Sequence, residues 1–75
     1  MKQLIVRHQH IYATRINGRQ LCRRGAMVWF DQHELNWSDF VFNGITADKL
    51  LATGDALAFA VVATAQKMEG QHGEQ

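Results

Sequence analysis

Ala56-Leu57-Ala58-Phe59-Ala60-Val61-Val62-Ala63 is apolar at every one of its eight positions. The run is far shorter than the roughly 18 residues that span a bilayer. As a helix it is apolar all the way round, the pattern of a segment buried on more than one side. Thr53-Gly54-Asp55 supplies a start for it, because Thr and Asp side chains accept the free N–H groups of a first turn. The spacing therefore predicts the longest helix of the chain over about 54–69. A domain of 75 residues buries only about 60% of the surface its unfolded chain exposes, so little material is at hand to cover such a helix. Either the earlier elements wrap it completely, or Leu57, Phe59, Val61 and Val62 face a second copy or another protein. Its four alanines permit close approach by whatever packs there.

Working back toward the amino terminus, Thr46 caps a short helix carrying Asp48, Leu50 and Leu51. Before it, Asn36 caps another. Its Trp37, Phe40 and Val41 recur at i, i+3 and i+4 and so face one side, Asp39 suits the positive end of its dipole, and Asn43-Gly44-Ile45 ends it. Ahead of that, Ala26, Met27, Trp29, Phe30 and His33 share one broad side of a helix closing near Glu34. Asn17-Gly18, between Ile16 and Arg19, tolerates the two positive φ angles of a type I′ turn. A strand is expected within 3–16, with Leu4, Val6, His8, His10 and Tyr12 on one face, returning near 19–22.

The expected fold is mainly α (α+β): three to four short helices packed as a small bundle with an amino-terminal β-strand or hairpin. It forms a single domain over 1–69, comprising a basic strand or hairpin segment (1–24) and a helical part (25–69), and 70–75 form a disordered tail. The expected core is Met27, Trp29, Phe30, Leu35, Trp37, Phe40, Val41, Ile45, Leu50, Leu51, Leu57, Phe59, Val61 and Val62.

Charge is distributed unevenly. Residues 1–24 carry six cations and no acid, whereas 25–75 carry a net charge of −5, for +1 overall. Either the basic segment folds onto the acidic half and is neutralised there, which is the expectation, or it meets an acidic partner. If that partner is nucleic acid, Arg15, Arg19, Arg23, Arg24 and Tyr12 are the contact residues, acting through phosphates with little sequence preference. A helix-turn-helix reading of 36–53 is disfavoured. Asp39 and Asn43 would occupy apolar positions of that motif, and the second helix offers Lys49 as its single cation.

Catalytic and metal chemistry find little support. Cys22 is the only cysteine, so no intrachain disulfide forms and a reducing compartment is expected. Arg23 and Arg24 beside it favour the thiolate, but His33 lies too far along the helix to act as its base, and Cys22 reads as a small buried thiol. His8-x-His10 puts two imidazoles on one strand face, with Cys22 and His33 as further candidates, yet paired cysteines are missing. No phosphate loop, nucleophile elbow or cofactor fingerprint occurs. The chain reads as a non-enzyme without cofactor, metal or small-molecule substrate.

Cys22, Gly25, Trp29-Phe30, His33, Leu35, Trp37, Phe40, Gly44-Ile45, Leu50 and Ala52-Thr53-Gly54-Asp55-Ala56 together resemble a group of small proteins encoded by tailed bacteriophages and prophages. The group brings no assigned activity or site. The resemblance implies a non-catalytic accessory protein working through protein–protein binding, in virion assembly or by modulating a host factor. Nucleic-acid binding through the basic hairpin is the alternative. The expected location is the host cytoplasm or the virion, with no membrane association, since the amino-terminal apolar run Leu4-Ile5-Val6 is too short for a signal peptide.

Overall fold

Asn17 and Gly18 adopt φ of 55° and 78°, the backbone that a two-residue hairpin turn of matching twist requires. They join β2 (Arg15–Ile16) to β3 (Arg19–Gln20), antiparallel with Arg15 opposite Gln20 and Ile16 opposite Arg19. The computed structural model describes residues 4–73. It confirms the hairpin but not the long strand leading into it. The chain begins with β1 (Ile5–Val6), then turns into a helix, α1 (His8–Ala13). The reason lies in what becomes buried: His10, Ile11 and Thr14, at i, i+1 and i+4, form one helical side. His10 also holds the helix start, its Nδ1 accepting the backbone N–H of Arg7 at 2.9 Å. The period-2 reading of His8, His10 and Tyr12 is thereby replaced.

Five further elements complete the described chain. The first is α2 (Arg23–Gln32), with Cys22 as its N-cap and Cys22 Sγ accepting the N–H of Gly25 at 3.2 Å. It is followed by α3 (Trp37–Asn43), whose predicted cap is present: Asn36 Oδ1 accepts the N–H of Asp39 at 2.8 Å. Next come β4 (Ile45–Thr46) and α4 (Ala47–Leu51), where Thr46 Oγ1 accepts from Lys49 N–H at 3.4 Å. The last helix is α5 (Ala56–Gly73). Asp55 Oδ1 accepts the N–H of Leu57 at 2.9 Å, and Thr53 Oγ1 accepts that of Asp55 at 3.3 Å. Among the described residues five helices thus stand where three to four were expected. The last runs past Glu69 into the tail expected to be disordered, since extending a helix already formed adds one hydrogen bond per residue fixed; residues 74 and 75 lie outside the described residues.

Pairing of β1 with β4, Ile5 opposite Thr46 and Val6 opposite Ile45, ties the amino terminus to the middle of the chain. α5 packs against α4, α1 and β1. Among its described side chains the buried ones form one stripe, Ala58, Val61, Val62 and Ala65, at i, i+3, i+4 and i+7. Burial on several sides is therefore not realised, and Phe59 stays 50% exposed. Val61 and Val62 lie inside the domain, which removes them from any interface. The aromatic centre joins α2 to α3: Phe30 lies 4.7 Å from Phe40 and 5.1 Å, edge to face, from Trp37. Each such pair adds roughly 0.5–1.5 kcal/mol beyond its area burial. Met27, Val41 and Leu51, placed in the core by sequence, are exposed because they fall outside the stripes centred on Phe30, Phe40 and Leu50. Val6, Ile11, Ala58 and Ala65 take part in the core instead, with Ala26.

Glu34 carries φ of 58° just beyond α2, where Leu35 N–H donates to Phe30 O at 2.8 Å. This is a left-handed helix termination that glycine fills without strain. Glu34→Gly is expected to raise stability by about 0.5–1 kcal/mol, read as a higher urea midpoint at unchanged slope; a lower midpoint would show that the Glu34 side chain holds the turn.

Candidate binding groove

The hairpin and α2 enclose an open groove of about 420 Å³. Cross-strand partners share a face of a two-stranded ribbon, so Ile16 and Arg19 point one way and Arg15 and Gln20 the other. Ile16 and Arg19 line the groove together with Leu21 and, from α2, Val28 and Trp29; α5 contributes Leu57. Cys22 and Gln32 add polar atoms to the lining, and Gln20 reaches its edge from the other hairpin face. Val28 is 52% exposed although it is a full-sized aliphatic side chain in mid-helix. An apolar depression with a cation at its edge results.

Of the expected contact residues, Arg19 lies in this groove, and Arg23 and Arg24 stand in the first turn of α2 next to it, all of them exposed. Arg15 sits on the opposite hairpin face. Tyr12 is half-buried, its ring edge-on to His8 at 5.9 Å and its carbonyl held by Gln20 Nε2 at 2.8 Å. The five residues therefore do not form one surface. Nor do the described arginines of the basic segment pair with acids: among the described residues the base–carboxylate contacts are His10 Nε2 to Glu69 (3.1 Å) and His33 Nε2 to Asp55 (3.5 Å). Two arginines at the positive end of a helix, without an acid in that turn, oppose the dipole and concentrate positive potential there. Of the four residues expected at an interface, Leu57 reaches the groove and Phe59 reaches solvent.

Cys22 is exposed, not buried, because its sulfur is used to cap α2. His8 and His10, two residues apart on a helix, point about 200° apart, and both ring nitrogens of His10 are engaged. That removes the two-imidazole face. Among the described residues no three His, Cys, Asp or Glu side chains gather in metal-binding array.

A second cluster joins the end of α2 to the start of α5. The Asp55 carboxyl is held below its ordinary value, first by the Leu57 N–H, then by the nearby Trp29 indole, which falls short of hydrogen-bond geometry, and by His33. His33 also packs on Trp29, ring centres 4.3 Å apart. Thr53 Oγ1, the hydroxyl next to this cluster in sequence, donates to Leu50 O at 2.7 Å. The arrangement caps α5. Because the folded-state carboxyl titrates lower than the unfolded one, the stability it contributes is present above the unfolded value and lost as pH falls through the folded one. Asp55→Ala should accordingly remove part of the acid sensitivity of the melting temperature.

A second depression, about 360 Å³, lies among α3, β4 and α4 and includes Glu34, Asp39 and Lys49. Among the described residues no helix is long and apolar enough to cross a membrane. The sequence matches no protein-family model, no curated protein and no solved structure.

Proposed function

We propose that the chain is a non-catalytic accessory protein of the tailed-bacteriophage kind, working by seating a segment of a protein partner on its hairpin–α2 face. The observation that carries this reading is the groove itself: Ile16, Val28, Trp29 and Leu57 form an apolar lining open to solvent, with Arg19, which meets no acid among the described residues, beside it. Such a site suits an apolar anchor residue flanked by carboxylates. The anchor supplies the affinity as water leaves the groove, and the charges supply orientation and encounter rate. The viral context is supported by the resemblance that runs from Cys22 to Ala56.

Affinity capture from infected or lysogenic cells tests it, comparing wild type with Val28→Glu. The exchange places a carboxylate in the groove at an exposed helix position, so it should leave folding intact. The proteins held by wild type should be absent from the variant. An identical set on both would place the partner elsewhere.

Nucleic-acid binding is the second reading, favoured by arginines that meet no acid among the described residues. Against it stands the divergence of Arg15 and Arg19 onto opposite hairpin faces, which denies phosphates one continuous track. Replacing Arg15, Arg19, Arg23 and Arg24 by Gln separates the two. Under the protein-binding reading, affinity for duplex DNA is negligible near physiological salt in both forms. Under the other, the substitutions flatten the salt slope by about 0.9 for each phosphate no longer neutralised.

A further inference from the structure

Phe42 on α3 is 80% exposed. One turn earlier stands Asp39, exposed and at i−3, so the ring and the carboxylate share a side of the helix. Asp39 Oδ1 is steadied by the side-chain N–H of Asn43 at 2.7 Å. A phenyl ring left in water leaves most of its transfer free energy unrealised. Neither Phe42 nor Asp39 lines the hairpin–α2 groove of its own chain.

The molecule thus carries an apolar projection with an acid beside it and an apolar depression with a cation beside it. The groove's hairpin side belongs to the segment with six cations and no acid, and the projection belongs to the part with net charge −5. Resting on the reading of the groove as a protein-docking seat, we propose that its occupant is a second copy of this chain: Phe42 of one copy enters the groove of the next, and Asp39 faces Arg19. The groove's volume of about 420 Å³ admits one aromatic side chain with its neighbour Val41. Because projection and groove are different patches, the contact is heterologous. Each added copy leaves one of each free, and association continues into a ring or an open chain.

Sedimentation of the full chain across micromolar concentrations, at low and high salt, tests this with two variants at exposed positions, Phe42→Ser and Val28→Glu, whose folding is checked by circular dichroism. Wild type is expected to grow beyond a dimer with concentration and to fall back as salt screens the Asp39–Arg19 pair. Each variant alone should associate about thirtyfold more weakly, the effect of losing one central anchor. Mixed, they should form a one-to-one dimer that grows no further, because the Phe42→Ser copy keeps its groove and the Val28→Glu copy keeps its ring. A wild type that stays monomeric throughout, or folded variants that do not pair when mixed, would overturn the proposal. A monomer that still captures a cellular protein lost with Val28→Glu would overturn the second copy as occupant while leaving the docking seat standing.

Discussion

Gly44→Ala should cost about 3 kcal/mol or more of folding stability. Gly44 sits at φ 79° and ψ −178° at the end of α3, in a region of backbone space that is essentially reserved for glycine and costs other residues roughly 1–3 kcal/mol. A methyl group there would lie 2.5 Å from Ile5 Cγ2 and 3.0 Å from the carbonyl oxygen of Val6. It would drive β1 off β4, since Val6 and Ile45 are ladder partners, and such overpacking adds roughly 1–3 kcal/mol. A domain of this length holds about 4–11 kcal/mol in total, so the melting temperature should fall by roughly 12–24 °C. Gly18→Ala is the control. It has nearly the same φ, 78°, but nothing lies within 4 Å of its added methyl group, so only the backbone term of about 1–2 kcal/mol applies. Equal losses at the two positions would mean that the close approach of β1 does not contribute.

His10→Ala is the second large effect, expected at about 3 kcal/mol. His10 is 1% exposed and spans α1 and α5. A backbone N–H can only donate, so Nδ1, which receives that of Arg7, carries no proton in this arrangement. Nε2 then holds the ring proton and donates to Glu69 Oε2 at 3.1 Å. Removing the ring strands the Arg7 donor at the start of α1 and leaves a cavity between two helices, each a recognised source of destabilisation by a few kcal/mol. Glu69→Gln should cost under about 1 kcal/mol, because an amide oxygen still accepts from Nε2–H and the half-exposed carboxylate faces a neutral ring. If Glu69→Gln proves as damaging as His10→Ala, the contact works through charge and not through the hydrogen bond.

What could be read from the sequence was the chemistry that acts locally. The Asn17-Gly18 turn, the caps at Asn36 and Thr46, and the start around Thr53 and Asp55 all stand where side-chain acceptors and glycine placed them. α1 was missed because His8, His10 and Tyr12 alternate as a strand would, while its real burial set, His10, Ile11 and Thr14, contains two polar residues that no apolar period detects. The β1–β4 ladder was missed because two-residue strands far apart in sequence leave no local trace. For α5, the all-apolar composition of 56–63 concealed which stripe faces inward; Ala58 and Ala65 were chosen for close helix approach, and the bulkier Phe59 was left outside. The cations near the groove were named from charge alone. The groove depends on how the hairpin leans against α2, and Val28 and Trp29 on their own read as ordinary helix residues.

Residue-specific photo-crosslinking shows whether the hairpin–α2 groove is where the protein meets its partner. A photo-reactive side chain placed at Val28, in the groove, is compared with one at Gln66, on the exposed side of α5, in cells where the chain performs its task. Protein adducts are expected from position 28, whether with a second copy or with another chain, and none at comparable yield from position 66. Adducts with nucleic acid from position 28, or protein adducts in equal yield from both positions, would contradict a protein-docking groove.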